Sequence, residues 1–232
     1  MSNKARPRGP VPEYMIRNAN PPVKTSYIKL FGPVNADMVN QLMRVVEAAL
    51  RDGTKRFHIL ISSPGGSVFH GLSAYNFLKG IPAEVITHNF GSVDSIGVVI
   101  YSAGSTRLCV PHARFLIHGV SLNFQQGASL EQPQIEEKLN GLKIDTENIA
   151  GVIAGTILVE EETVKAKMLQ RITLSPEEAL DWGLVHEIRE ELFPEGATMV
   201  SIEESSQNGS NVPSQLRGLV QQIPAVRADS LN

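Results

Sequence analysis

The sequence predicts an α/β domain built around a largely parallel sheet. Two observations carry this prediction: short β-rich apolar runs alternate with helical patterns along most of the chain, and glycine or proline turns separate these segments. Strands that alternate with helices pair in parallel, because each helix crosses back over the sheet between two strands.

The chain of 232 residues divides into one domain and two arms. Residues 1–24 hold five prolines and predict a flexible N-terminal arm. Residues 25–198 form the predicted domain. From 199 to 232 the sequence is polar and rich in Ser, Asn and Gln, which is typical of a mostly disordered tail.

The first half of the domain shows a regular order of elements. An alternating strand at 26–31 ends at Gly32-Pro33. Asn35 then caps a helix whose apolar residues recur at helical spacing, and Gly53 ends that helix. The next predicted elements are a strand at 57–62, a helix at 69–78 and a strand at 84–90.

The second half continues the alternation into a longer helical region. Its predicted elements are a small-residue helix at 95–103, strands at 106–110 and 114–118, a helical stretch at 130–169 and a last strand at 184–188. Ser175-Pro176-Glu177-Glu178 has the capping-box pattern with proline at the first helical position. A short helix therefore begins there and ends at Trp182-Gly183.

Composition excludes several classes of protein. The net charge is only −3 and Lys and Arg are scattered, which argues against nucleic acid or an anionic membrane as partner. The apolar stretches are too short for a membrane span, and no apolar run follows the basic N-terminal residues. The single cysteine, Cys109, cannot form an internal disulfide, and the six histidines lack zinc-site spacing. We expect a cytoplasmic protein without metal or cofactor.

A glycine pair follows directly after a predicted buried strand, in the segment Ser63-Pro64-Gly65-Gly66-Ser67. Adjacent glycines let backbone N–H groups approach a ligand closely. Such groups can stabilise a developing oxyanion. The same residues also form ordinary turns, so the segment alone leaves both interpretations open.

Ser95 and His118 stand where two other predicted strands end. Ser95 opens a helix rich in small residues, where a serine is either a nucleophile or simply the N-cap. His118 ends an apolar strand and is either a general base or a structural histidine. Taken singly, each residue favours the structural interpretation, and only their combination favours chemistry.

Together, these motifs resemble the proteolytic subunit of the Clp protease. The similar segments are Ser63-Pro64-Gly65-Gly66, Ser95-Ile96-Gly97, the strand 113–118 and SPEEALDWGLV at 175–185. Ser95 follows Gly66 by 29 residues and precedes His118 by 23, and the similarity covers about residues 26–190.

The resemblance implies both a fold and a set of roles. The fold is α/β and ClpP/crotonase-like, a repeated β-β-α superhelix with a protruding helical handle. Ser95 would be the nucleophile and His118 the general base. The backbone N–H groups of Gly66 and Ile96 would form the oxyanion hole.

The chain departs from the family at the third triad position. Arg171 stands where the family has aspartate, and an arginine cannot orient an imidazolium. Gln170, Thr173 or a backbone carbonyl could orient His118 instead and leave a working dyad. A local shift of the alignment and an inactive family member are the alternatives. We favour a dyad with reduced or specialised activity.

Other departures concern neighbouring residues and partners. Asp94 replaces a small residue, and we expect its carboxylate to face away from the cleft. The resemblance implies a homo-oligomeric ring, heptameric or stacked, with a polypeptide substrate and an AAA+ unfoldase as partner. His58 and Leu60 replace aromatics that dock the unfoldase, and Arg171 replaces an ion-pair position used in stacking. These replacements argue against the stacked ring and the unfoldase.

The leading hypothesis is a serine endopeptidase that cleaves unfolded proteins or peptides. One alternative is a weak or inactive ring subunit that pairs with an active paralogue. The other is a crotonase-type acyl-coenzyme A enzyme, whose paired N–H groups would stabilise a thioester enolate. Against the last, no acidic residue that could act as catalyst stands near either glycine motif.

Overall fold

The computed structural model describes residues 23–203 except residues 123 and 125. The helices are α1 (Ala36–Arg51), α2 (Val68–Gly80), α3 (Ile96–Tyr101), α4 (Gln132–Ile157), α5 (Glu161–Gln170) and α6 (Pro176–Asp181). The strands are β1 (Thr25–Phe31), β2 (Arg56–Ser63), β3 (Glu84–Asp94), β4 (Thr106–Cys109), β5 (Arg114–Ile117), β6 (Ile172–Leu174), β7 (Glu187–Ile188) and β8 (Met199–Glu203). The predicted flexible arm up to residue 22 lies outside the described residues.

The strands of the described residues form one sheet in the order β6-β5-β3-β2-β1-β8, with β4 beside β3 and β7 beside β4. Every pairing is parallel except that of β5 with β6. The predicted mixed α/β fold with a largely parallel sheet is therefore confirmed. Its core includes the fully buried Phe57, Tyr101 and Phe115.

Helix caps were readable in the sequence and form as expected. The Asn35 side chain accepts a hydrogen bond from the Met38 N–H at 2.9 Å and begins α1. Ser175 and Glu178 exchange the two bonds of a capping box, with Pro176 at the first helical position of α6. These bonds satisfy N–H groups that the helices leave free at their first turns.

The structure corrects the predicted elements at three places. The tail was expected to begin at residue 199, whereas Met199–Glu203 form β8, which pairs with β1. The remaining tail, 204–232, lies outside the described residues. Strand β6 was not predicted, because three residues are too few to show a period. The strand expected at 184–188 is only Glu187–Ile188, since Leu184 and Val185 are buried in the turn after α6.

Strand β3 changes its neighbour along its length. Its first half pairs with β4 from Ile86 to Asn89, and its last residues pair with β5. The Asn89 side chain bridges the change, because it donates to the Arg114 carbonyl and accepts from the Gly91 N–H. Because of this change of neighbour, the last residue of β3, Asp94, lies beside β5.

Helix α4 forms the protruding handle that the resemblance implied. It begins with a capping box between Glu131 and Gln134, and residues 132–141 are all exposed. Its later turns are buried at Ile149, Ala150 and Ile153 against the core. No helix in the described part of the chain is long and apolar enough to cross a membrane.

Two histidines from neighbouring strands contact each other inside the sheet. His58 Nδ1 and His88 Nε2 lie 3.0 Å apart, and the Tyr27 ring stacks on His58. Burial, reinforced by the Arg189 cation, lowers the pKa of His58 from 6.5 to about 4. Burial and the neighbouring His58 lower the pKa of His88 to about 3. Both rings are therefore neutral in the folded protein near pH 7.

This pair predicts acid-dependent stability. The unfolded chain binds protons at these histidines near pH 6.5, whereas the folded chain resists protonation until about pH 4 and pH 3. Their contribution is fully present above pH 6.5 and is lost as the pH falls. We expect a loss on the order of 3 kcal/mol between pH 7 and pH 5, in which solvent screening reduces the share of the half-buried His58, measured by denaturant unfolding.

Replacing both histidines, as His58→Gln with His88→Gln, should flatten this pH dependence. The matched control is His112→Gln, because His112 is exposed. An equally steep pH dependence in the double variant would contradict the assignment.

Candidate active site

The glycine pair forms a fixed loop after β2. The Val34 N–H donates to the Gly65 carbonyl and the Ser67 N–H donates to the Val34 carbonyl, both at 2.8 Å. These two bonds make Gly66 the centre of a parallel bridge to Val34. A residue in that position directs its own N–H away from the bridge partner. The Gly66 N–H is thus turned away from Val34.

Only glycine fits at both positions of this loop. Gly65 and Gly66 have φ values of 89° and 151°. A Cβ on Gly66 would lie 2.2 Å from the Val34 carbonyl oxygen, and one on Gly65 would lie 2.6 Å from Ser95 Cβ. The loop therefore packs directly against both the β1–α1 connection and Ser95.

Ser95 occupies a strained turn between β3 and α3. Its φ is 57° with ψ −126°, a conformation that costs a non-glycine residue about 1–3 kcal/mol. The Ser95 side chain makes no capping hydrogen bond to α3, so the N-cap interpretation of its hydroxyl fails. Its backbone N–H instead donates to the Leu116 carbonyl of β5 at 2.7 Å.

His118 follows directly after β5 and is held by backbone. Its Nδ1 lies 2.7 Å from the Gly119 carbonyl oxygen. A carbonyl only accepts, so Nδ1 carries the proton and Nε2 presents a lone pair. The Gly119 N–H in turn donates to the Met168 carbonyl of α5 at 3.0 Å. That tautomer is the one a general base requires.

All four residues of the expected site line one cavity of about 260 Å³. They are Gly66, Ser95, Ile96 and His118, and the apolar side chains of Val68, Val120 and Ile149 contribute to the same wall. Ile96 is the first residue of α3, where a helix leaves its N–H groups without intrahelical partners. Within the described residues no hydrogen bond joins Ser95 to His118, and such bonds often tighten only when substrate binds.

Arg171 and His118 both follow the end of the β5–β6 ladder. The last pair of antiparallel β5 and β6 is Ile117 with Ile172, and His118 and Arg171 are the residues directly beyond this pair on the two strands. Arg171 ends α5 in the left-handed conformation, with φ 55°, and is exposed. Neither Gln170 nor Thr173 contributes the bond to the His118 ring. Of the acceptors considered from sequence, the backbone carbonyl is the one in place.

The carboxylate beside the nucleophile forms an ion pair, and Asp94 is not among the residues that line the cavity. Asp94 Oδ2 accepts from Arg114 Nη2 at 2.9 Å, and Asp94 Oδ1 accepts from the Ser92 hydroxyl at 2.7 Å. Asp94 is the last residue of β3 and not a residue of α3. Its side-chain partners therefore lie on β3 and β5.

Two contributors to the site were missed from the sequence. The Gly119 carbonyl carries no side-chain signal, so no pattern could identify it. Arg114 is the first residue of the strand that precedes His118, and its pairing with Asp94 follows only from the β3–β5 register. Across the described residues, no three His, Cys, Asp or Glu side chains are grouped to hold a metal ion.

Comparisons with known proteins agree with this fold. The Clp protease family profile matches residues 14–191. The "ATP-dependent Clp protease proteolytic subunit 3" of Rhizobium etli is 31% identical over 169 residues, which are 71% of this chain and 84% of the relative. The protein of the same name from Rhizobium johnstonii is 30% identical with the same coverage. A solved ClpP1 mutant from Listeria monocytogenes superposes with a TM-score of 0.64 at 25% identity, covering 73% of this chain and 92% of that one.

The fold and the relatives together define the class of the protein as a serine-type protease. The chain belongs to the Clp protease family, as a divergent member of its proteolytic subunits. The predicted family and fold class are confirmed, and the acyl-coenzyme A alternative loses its support.

The glycine loop gives a stability prediction. Gly66→Ala forces a Cβ against the Val34 carbonyl, so the loop must shift and lose its two 2.8 Å bonds. We expect the melting temperature to fall by roughly 3–10 °C, measured by differential scanning calorimetry. Gly80→Ala is the matched control, because nothing lies within 4 Å of its Cβ position. Equal melting temperatures for the two variants would contradict the loop geometry.

Proposed function

We propose that Ser95 and His118 form the catalytic dyad of an endopeptidase and that the N–H groups of Gly66 and Ile96 form its oxyanion hole. The observation that carries the proposal is the single cavity that all four residues line. Its apolar wall of Val68, Val120 and Ile149 would accept a peptide side chain next to the scissile bond.

The proposed reaction is acyl transfer in two steps. His118 Nε2 takes the Ser95 hydroxyl proton while Oγ attacks the peptide carbonyl carbon, and the carbonyl oxygen becomes the oxyanion. The imidazolium then protonates the amide nitrogen, the C–N bond breaks and an acyl-serine remains. Water, deprotonated by His118, hydrolyses the ester and regenerates the serine. In this proposal the strained turn at Ser95, with its positive φ, would direct the hydroxyl toward the cleft.

The Gly119 carbonyl would take over the orienting task of the absent carboxylate. It fixes the tautomer of His118 through the 2.7 Å bond. A neutral carbonyl stabilises the imidazolium less than a carboxylate does, and loss of the orienting Asp costs about 10⁴ in turnover in a serine protease. We therefore infer reduced activity, with an inactive ring subunit as the competing possibility that Arg171 raises.

The setting of the reaction is also a proposal. Relatives are named as proteolytic subunits of an ATP-dependent protease, which supports a subunit of a larger assembly that acts on polypeptides. The homo-oligomeric ring and the cytoplasmic location stay predictions. His58 contacts the rings of Tyr27 and His88. The face on which an AAA+ unfoldase would dock therefore carries polar rings at this position. This supports a ring that works without a standard unfoldase contact.

A fluorophosphonate probe tests the nucleophile. We expect the wild-type protein to be labelled on Ser95, and Ser95→Ala to lose both the label and the cleavage of fluorogenic peptides, because the hydroxyl is the attacking group. Ser73→Ala, on α2, is the control and should be labelled normally. Mass spectrometry of the labelled peptide identifies the site. An unlabelled wild-type protein would contradict the endopeptidase and favour the inactive subunit.

Arg171→Asp tests the missing carboxylate. The left-handed backbone at this position, φ 55°, tolerates Asp better than most residues. A carboxylate opposite His118 should stabilise the imidazolium and raise kcat for peptide hydrolysis about tenfold or more. Arg171→Gln removes the cation without adding an anion and is the control. If both variants matched the wild type, Arg171 would not occupy the orienting position.

A further inference from the structure

An ion pair links the nucleophile strand to the histidine strand. Asp94 Oδ2 and Arg114 Nη2 are 2.9 Å apart, and the second carboxylate oxygen accepts the Ser92 hydroxyl. The Asp94 side chain is only 8% exposed, whereas that of Arg114 is 53% exposed. Both oxygens of a nearly buried carboxylate are therefore satisfied by β3 and β5 together.

The pair lies at the point where the two strands set the dyad. The register of β3 and β5 pairs Ser92 with Arg114 and Asp94 with Leu116. The next residue, Ser95, donates its N–H to the Leu116 carbonyl. His118 follows Leu116 by two residues. A shift between these strands would thus move the hydroxyl and the imidazole relative to each other.

The turn at Ser95 needs such a restraint. Its positive φ stores strain, and strained backbone persists only where the surrounding contacts over-determine it. On one side of the turn, α3 is only six residues long. On the other side, the last residue of β3 is Asp94 itself, held by Ser92 and Arg114.

We propose that Asp94 and Arg114 are positioning residues, a clamp between β3 and β5 that holds Ser95 in register with His118. This inference rests on the proposed function of the dyad. The Gly119 carbonyl orients the His118 ring but does not link it to the strand that carries Ser95. The clamp supplies this link between the two strands.

The clamp predicts an effect on turnover and not mainly on binding. Misplacing reacting groups by about 1 Å can cost about 10²-fold in rate. We expect Asp94→Ala and Arg114→Ala each to lower kcat roughly 10- to 100-fold, with KM within about threefold of wild type. The rate of fluorophosphonate labelling should fall in parallel.

Two further variants separate positioning from general stability. The double variant Asp94→Ala with Arg114→Ala should be no slower than either single variant, because the two residues act as one unit. Asp94→Asn keeps an oxygen that can accept from Arg114, and it should recover most of the lost kcat.

A matched control pair lies at the other end of β3. Arg56 Nε and Glu84 Oε2 lie 2.6 Å apart and link the first residues of β2 and β3. Arg56→Ala and Glu84→Ala remove an ion pair between adjacent parallel strands without touching the Ser95 turn. These variants should change the melting temperature but leave kcat of the folded protein intact.

The experiment measures kcat, KM, labelling rate and melting temperature for all variants in the full-length protein. The clamp proposal is contradicted if Asp94→Ala has the same kcat as Glu84→Ala. It is also contradicted if kcat of the double variant falls by the product of the two single-variant losses. Should Asp94→Ala fail to fold, Arg114→Ala decides the question, because its side chain is half exposed. A wild-type protein that neither cleaves peptides nor takes the label would instead overturn the proposed function, and the clamp with it.

Discussion

The site depends on the pairing of β3 with β5. Three residues of each strand pair in parallel, and the Ser95 N–H extends the ladder to the Leu116 carbonyl at 2.7 Å. This short ladder brings a serine and a histidine that are 23 residues apart in sequence to one cavity. Buried Val93 and Phe115 pair across the same ladder, so core packing and site geometry stabilise each other.

Much of the proposed chemistry rests on backbone groups. The proposed donors to an oxyanion are the N–H groups of Gly66 and Ile96, which line the cavity, and the group that holds the His118 ring is the Gly119 carbonyl. Backbone donors are fixed by the fold and need no reorganisation when charge develops. In the proposed site, Arg171 in place of an aspartate would remove electrostatic support for the imidazolium, while the Gly119 carbonyl would still set the tautomer.

The parts of this picture that were predictable from sequence are those with local signals. The caps at Asn35 and Ser175, the glycine pair and the strand that precedes His118 all follow from neighbouring residues. Strand β8 was missed because Met199–Glu203 mixes apolar and polar residues, and only its pairing with β1 stabilises it. The Asp94–Arg114 pair and the Gly119 bond depend on strand register, which no local pattern contains.

The central claim is that a hydroxyl, an imidazole and two amides converge on one cleft. A crystal structure of the protein treated with a peptide chloromethyl ketone tests this most directly, because that reagent alkylates a histidine while a serine adds to its ketone. The account predicts one inhibitor bonded to both Ser95 Oγ and His118 Nε2, with the former ketone oxygen against the N–H groups of Gly66 and Ile96. An inhibitor attached to only one of the two side chains, or an oxygen directed to solvent, would contradict it.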